Sequence, residues 1–274
     1  MKINAKNLLA CVVVSTALFS CQKENKTPST TTSGISSEVI SQIQAQGFST
    51  DGIIKVDGGY VVENDIFLST EGLTKAMSVG PELRVPDEEQ YHTTNLITAL
   101  PRTITIAVTG LDAIWTAATD SAVARYNALN LRLKLQRVAS GAAITVTGAD
   151  LGGGGVLGQS SGFPDINGNP PNKITINSRP GTFGTNPSVQ WLATIIAHEV
   201  GHTIGFRHTD YANRNYSCGF SFPRNEGDGG VGAIWIPKTP KGPKDPGSWM
   251  LACTDGTNRP FNPNDITALR YLYK

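Results

Sequence analysis

Apolar positions along the chain change spacing several times, and each change marks a predicted element. From Leu8 to Phe19 they form a nearly unbroken run behind Lys2 and Lys6, too short to span a bilayer stably. From Gln22 to Ser37 (QKENKTPSTTTSGISS) they follow no period, which predicts a flexible tether. Val39, Ile40 and Ile43 then fall at helical spacing, Ile53 to Val56 and Tyr60 to Val62 read as strands, and a short helix is expected near Leu73. Gly80 to Leu100 carries prolines and charges and reads as a connector. Thr103 to Val108 (TITIAV) alternates and is β-branched, so it predicts a strand. Ile114, Ala118, Ala122, Tyr126 and Leu129 repeat at helical spacing within Asp112 to Leu129. Leu131 to Val138 and Ile144 to Thr147 predict two further strands, and Lys173 to Asn177 the last one. A helix follows over Val189 to Ile204, with Val189, Leu192, Ile195, Ile196 and Ile204 as core anchors. A final helix, capped by Asn264 or Asp265, turns Ile266, Leu269 and Leu272 inward.

Two stretches fit neither period. Asp150 to Pro164 (DLGGGGVLGQSSGFP) holds four consecutive glycines, where the backbone must bend or approach something closely. Thr209 to Gly247 is a long Gly- and Pro-rich segment, a length that usually serves function, and it is expected to wall a substrate pocket.

Composition narrows the class. A chain of 274 residues that is 39% hydrophobic can bury a sizeable core. Residues 1–20 read as a signal peptide, and their removal leaves 21 basic against 22 acidic residues. That balance gives no electrostatic case for binding nucleic acid or anionic lipid. Leu18-Phe19-Ser20-Cys21 resembles the bacterial lipobox, which implies lipidation of Cys21 and an exported lipoprotein held in the outer membrane of a diderm bacterium; a plain cleaved signal peptide is the competing reading. Glu24, soon after that cysteine, resembles the surface-export signals of some diderm lipoproteins. With Cys11 lost and Cys21 acylated, Cys218 and Cys253 remain, and an oxidising compartment favours their pairing over two buried thiols.

The chemistry concentrates in His198-Glu199-Val200-Gly201-His202-Thr203-Ile204-Gly205-Phe206-Arg207-His208. Residues four apart share a helix face, so His198 and His202 aim two imidazoles at one point with Glu199 beside them. Gly205 lets the chain stop and turn, bringing back His208 as a third ligand. Three neutral imidazoles bind zinc and leave a fourth position for water, the catalytic rather than the structural arrangement. This chain's composition produces the pattern by chance in about three chains per million, and three of the four histidines fall within it. His92, the fourth, reads as a surface or linker residue.

The motif resembles the extended zinc motif of the metzincin endopeptidases and is most similar to the dual-action HEIGH metallopeptidases, with Val200 in place of isoleucine. The similarity is strongest from Arg102 onward and extends weakly upstream into Gly59 to Ile66. It implies an α+β fold: a metzincin-like (zincin) catalytic domain over 101–274 with a twisted mixed sheet, a zinc helix and a Met-turn at Met250, preceded by a small N-terminal module or pro-segment with its linker over 38–100. It further implies one catalytic zinc held by His198, His202 and His208, Glu199 as general base, a peptide substrate pairing along Val156 to Gln159, and a monomer. No histidine lies in the glycine loop, so a second zinc is not expected. Asp150, Asp165 and Asn167 offer oxygen to calcium, although a solvated loop is the favoured reading. Asp210 could replace His208 and Tyr211 could steady an oxyanion; the motif's spacing and ordinary packing are preferred. Asp65, in E-N-D-I, resembles the aspartate that blocks zinc in astacin-like proenzymes, with Asn64 where those carry glycine; an ordinary loop carboxylate is the favoured reading. A surface adhesin or glycan-binding lipoprotein keeping a structural zinc fold is the alternative function.

Overall fold

The computed structural model of the chain describes residues 34–45, 48, 50, 52–63, 65–70, 73, 90–219, 226, 231–240 and 245–274. The leader 1–20, Cys21, Glu24, most of the tether, Asn64 and the first half of the connector lie outside them. The described elements belong to one compact unit, Thr31–Lys274.

The β-branched run around Ile104 and Ile106 forms β5 (Arg102–Val108), with both isoleucines buried. β6 (Leu133–Arg137) and β7 (Ile144–Ala149) flank it, both parallel. Parallel neighbours need a crossover, and α2 (Ala113–Ala128) supplies the one between β5 and β6. β9 (Lys173–Asn177) pairs parallel with β7, and β8 (Gly158–Ser160) runs antiparallel beyond it. The glycine loop leads into β8, which starts two residues later than expected.

The buried face of α2 is Trp115, Ala118, Thr119, Ala122 and Tyr126, one residue round from the expected Ile114 and Leu129, which are half-buried. Trp115 decides this by packing edge-on to Phe183, ring centroids 5.0 Å apart. The same face meets α3 (Val189–Thr203), where the Tyr126 hydroxyl donates to the Ala197 carbonyl at 2.8 Å. α5 (Pro263–Tyr273) starts earlier than expected: Asn262 is its cap, with Pro263 at the first turn and Asp265 completing a reciprocal capping box. Its inward residues are Asp265, Ala268, Leu269 and Tyr273, whereas Ile266 and Leu272 are only half-buried.

Upstream, α1 (Ser37–Ala45) and the antiparallel ribbon β1 (Ile54–Val56), β2 (Gly59–Val62) and β3 (Ile66–Ser69) enclose a small core of Ile43, Phe48, Ile53, Tyr60, Val62, Ile66 and Leu73. This ribbon also extends the main sheet, whose order is β1-β2-β3-β8-β9-β7-β5-β6. The join is one parallel residue pair, Ile66 with Ser160. The connector holds structure as well: β4 (Tyr91–His92) pairs with β10 (Ile234–Trp235), a two-residue strand after the one expected to be last. His92 is half-buried there, with Nδ1 2.7 Å from the Thr93 carbonyl. Cys218, closing the short helix α4 (Asn215–Cys218), is disulfide-bonded to Cys253. Among the described residues no helix is long and apolar enough to cross a membrane.

Candidate metal centre

Ser188 caps α3 by accepting the Trp191 amide at 3.1 Å, and Leu192, Ile196 and Val200 bury its inner face. The helix so anchored carries His198, Glu199 and His202 on its last two turns. Gly201, between them, leaves room for the sulfur of buried Met250; a Cβ there would collide with it. Met250 is fixed in turn by its carbonyl, which accepts the Thr209 amide at 2.8 Å. At Gly205 the backbone takes φ +101°, and the Phe206 amide folds back onto the Gly201 carbonyl at 2.9 Å. This turn carries His208 to the same point.

The three rings converge. His198 Nε2 lies 3.2 Å from His202 Nε2, and the His208 ring centroid is 4.8 Å from that of His202 and 5.3 Å from that of His198. Each Nδ1 faces an acceptor: the Trp249 carbonyl at 2.8 Å for His198, the Phe206 carbonyl at 2.9 Å for His202, and Glu226 Oε1 at 2.6 Å for His208. Those acceptors fix the three ring orientations and turn the three Nε2 atoms inward, the donor set a metal ion requires once those nitrogens are free of protons. Burial pushes His202 down to about 4, so it is neutral as a ligand must be. His208 is buried too, yet the charges of Asp65 and Glu226 hold it well above its usual value.

A carboxylate that sequence reasoning favoured as an ordinary loop residue stands in the centre. Asp65 Oδ2 is 2.7 Å from His208 Nε2, 3.3 Å from His198 Nε2 and 3.5 Å from His202 Nε2. The ordinary-loop reading is overturned: the β2–β3 turn projects into the centre, and Asp65 groups with all three histidines as potential metal donors. Burial works against its ionisation, but the His208 charge and bonds from the three rings hold its carboxyl well below the usual range. The Asp65 carbonyl also accepts the Ser160 amide at 3.0 Å, so the segment lies along β8, the edge expected to receive a substrate.

Glu199 is buried beside this group, and burial together with the Asp65 charge pushes it well above the usual carboxylate range. Gly158 admits it closely, since a Cβ there would come within 2.9 Å of Oε1. Among the described residues, Oε2 has no hydrogen-bond partner. Glu199 and His198 open onto a cavity of about 360 Å³ with walls from Trp191, Ile195, Trp249 and Leu251. Its outer wall comes from residues 249–259; the described part of the segment before Gly247, expected to build it, contributes no lining residue.

A buried charge network lies behind the rings. Arg207 reaches Glu63 Oε2 at 3.3 Å and Glu226 Oε2 at 3.4 Å, and Arg214 reaches Glu226 Oε1 at 3.1 Å. Burial opposes ionisation of Glu226, yet His208 and Arg214 hold it down at about 2. Sequence reasoning missed Glu63, Arg207 and Glu226. Glu63 and Asp65 gave one signal, two acids interrupting an apolar run; Glu226, alone in a glycine-rich segment, gave none.

The remaining candidates lie elsewhere. Asp210 accepts the Ala252 amide at 2.9 Å and the Ser217 hydroxyl at 2.6 Å, fastening the turns around the disulfide. Tyr211 is buried edge-on to Tyr91, ring centroids 4.4 Å apart. Asp165 accepts the Asn167 and Asn169 amides of its own loop, and Asp150 the Gly152 amide.

Converging imidazoles with a buried acid beside them, reached from an open cavity, define a metallopeptidase. The chain belongs to the dual-action HEIGH metallopeptidase family, which matches residues 60–273. Two solved structures of myroilysin resemble it, each at 16% identity. One covers 65% of this chain and 96% of its own with a TM-score of 0.41, the other 66% and 86% with 0.39. No curated protein matches the chain.

Proposed function

We propose that the protein is an exported, zinc-dependent endopeptidase held in a self-occluded state. His198, His202 and His208 would hold the zinc. The observation that carries the reading is the set of three inward Nε2 atoms beside a buried carboxylate oxygen without a partner. A purely structural metal site has no use for that second feature, which disfavours an adhesin.

When bound, zinc supplies Lewis acidity, polarising a scissile carbonyl and making water a better nucleophile. Glu199 supplies the proton traffic. Its raised proton affinity suits it to take a proton from the attacking water and pass it to the departing amine. The apolar cavity beside it receives a substrate side chain and excludes water from the bond under attack. Asp65 fills the position a substrate carbonyl needs, and its segment covers β8, so access requires the segment to move. Lipidation at Cys21 would tether the enzyme to the outer membrane; metabolic labelling with a fatty acid, lost in Cys21→Ser, tests that part.

The main test measures metal content and casein hydrolysis together. One zinc per chain, with hydrolysis that rises in Asp65→Ala and disappears with a chelator or in Glu199→Ala, is the expected result. A chain that takes up no zinc, or hydrolysis that survives Glu199→Ala, overturns the reading.

A further inference from the structure

We propose that Gln90 and Thr93 are positioning residues for the metal ligand His208, acting through a strap of chain, residues 90–93, that clamps the turn between His202 and His208. The inference rests on the zinc reading above, and neither residue belongs to the groups that could hold the ion themselves.

His198 and His202 take their places from α3, but His208 stands beyond the helix, after a residue at φ +101°. A short segment outside a helix keeps its place through the partners of its backbone groups. The strap supplies two of them. The Thr93 amide donates to the Gly205 carbonyl at 2.8 Å and the Arg207 amide to the Tyr91 carbonyl at 2.9 Å, an antiparallel bridge that sets His92 opposite Phe206. On its other edge the strap pairs with β10, so it is a strand held from both sides. The fit is close as well as bonded. A Cβ at Gly205 would come within 2.7 Å of Leu96, 3.1 Å of Thr93 Oγ1 and 3.2 Å of the Asn95 carbonyl.

Two buried side chains lock the strap. The Thr93 hydroxyl lies 2.6 Å from the Asn95 carbonyl and 3.2 Å from the Gly205 carbonyl. Gln90 Nε2 donates to Ser248 Oγ at 3.1 Å and to Asp265 Oδ1 at 2.7 Å. These acceptors lead to both sides of the centre. Ser248 Oγ bonds Thr209 Oγ1 at 2.6 Å, next to His208, and accepts the Met250 amide at 3.2 Å. Asp265 Oδ2 accepts the Trp249 amide at 3.3 Å, and the Trp249 carbonyl faces His198 Nδ1 at 2.8 Å. One carboxamide thereby ties the strap to the neighbours of two ligands. Gln90 does this at φ +61°, and among the described residues its Oε1 has no hydrogen-bond partner. Stability alone favours a residue without those two costs, so the combination points to a side chain kept for the geometry it enforces. The strap follows the segment that carries Asp65, and withdrawal of that segment must leave residues 90–93 in place for the ligands to stay aligned.

The test uses the full-length chain and two readouts: zinc affinity by competition with a chromophoric chelator, and ligand geometry from the visible absorption of the cobalt(II)-loaded protein. Gln90→Met, which fills the space without the donors, should weaken zinc binding about tenfold, the effect of losing support behind a metal ligand, and should shift the cobalt bands. Thr93→Val should weaken binding about threefold, the effect of one modest hydrogen bond, while Thr93→Ser, which keeps the hydroxyl, should match wild type. The thermal midpoint of the metal-free chain separates the roles. A residue that only adds stability would lower that midpoint and leave affinity and cobalt spectrum unchanged, and that outcome overturns the proposal. If Gln90→Met does not fold, the Thr93 pair decides: equal affinity in Thr93→Val and Thr93→Ser overturns it. Wild type that takes up zinc but hydrolyses nothing leaves the positioning role standing and removes the peptidase reading. Wild type that takes up no zinc overturns both.

Discussion

The end of α3 and the β2–β3 turn meet at the same few atoms, yet they reach them by opposite routes. His198, Glu199 and His202 are delivered by one helical turn, and His208 by one glycine turn more, all within eleven residues. Asp65 arrives from 133 residues away, on a ribbon with a separate small core and a single residue pair to β8. A centre built locally keeps its geometry as long as its helix is packed. A group brought in from afar keeps its place only while the segment beneath it stays docked, which suits the first region to chemistry and the second to control.

The sharpest way to break the comparison is to damage the local side. Glu199→Ala should lower kcat by about two to four orders of magnitude with metal content unchanged, whereas His202→Ala should lose both, as metal analysis beside a peptidase assay would reveal. Damage to the distant side should act in reverse. Full-length Asp65→Ala is expected to hydrolyse casein at least about tenfold faster than wild type, since a shift of about 1.4 kcal/mol in the balance between docked and undocked segment gives that factor. Equal rates would mean that Asp65 holds nothing shut.

Two smaller perturbations sharpen it. Cys253→Ser opens a crosslink spanning 35 residues and should cost about 4 kcal/mol by loop entropy in denaturant titrations, with the loss felt at the cavity wall that Cys253 lines. Asp265, capping α5, is pushed by burial up to about 7. Its proton is held more tightly in the folded chain than in the unfolded one. Its stabilising contribution is therefore complete below the ordinary carboxylate range and is lost as pH rises through about 7. Asp265→Asn should flatten that stretch of the thermal midpoint's pH profile.

How much was legible follows the same division. The three histidines, Glu199, the helix beneath them and the core strands are written in short-range periods, so spacing alone located them. Where the reading slipped inside the catalytic part, a neighbour decided: Trp115 turned α2 by one residue by packing on Phe183, and Asn262 moved the start of α5 by pairing with Asp265. Asp65, Glu63 and Glu226 carry no period. Their roles exist only because the sheet brings β3 beside β8 and because Glu226 lies against His208, contacts between residues more than a dozen positions apart. The two acids interrupting the apolar run at Glu63 and Asp65 were the only trace, since charged residues kept from water need a partner, and a sequence does not say which.

The lone Ile66–Ser160 pair has a mechanical consequence. Eight strands in one sheet would ordinarily resist separation as a unit, but here the fabric has a seam between three strands and five, stitched once. A pull on the N-terminal side therefore meets almost no backbone ladder there, and the load falls instead on the side-chain clasps of Glu63 on Arg207 and of Asp65 on the three histidines.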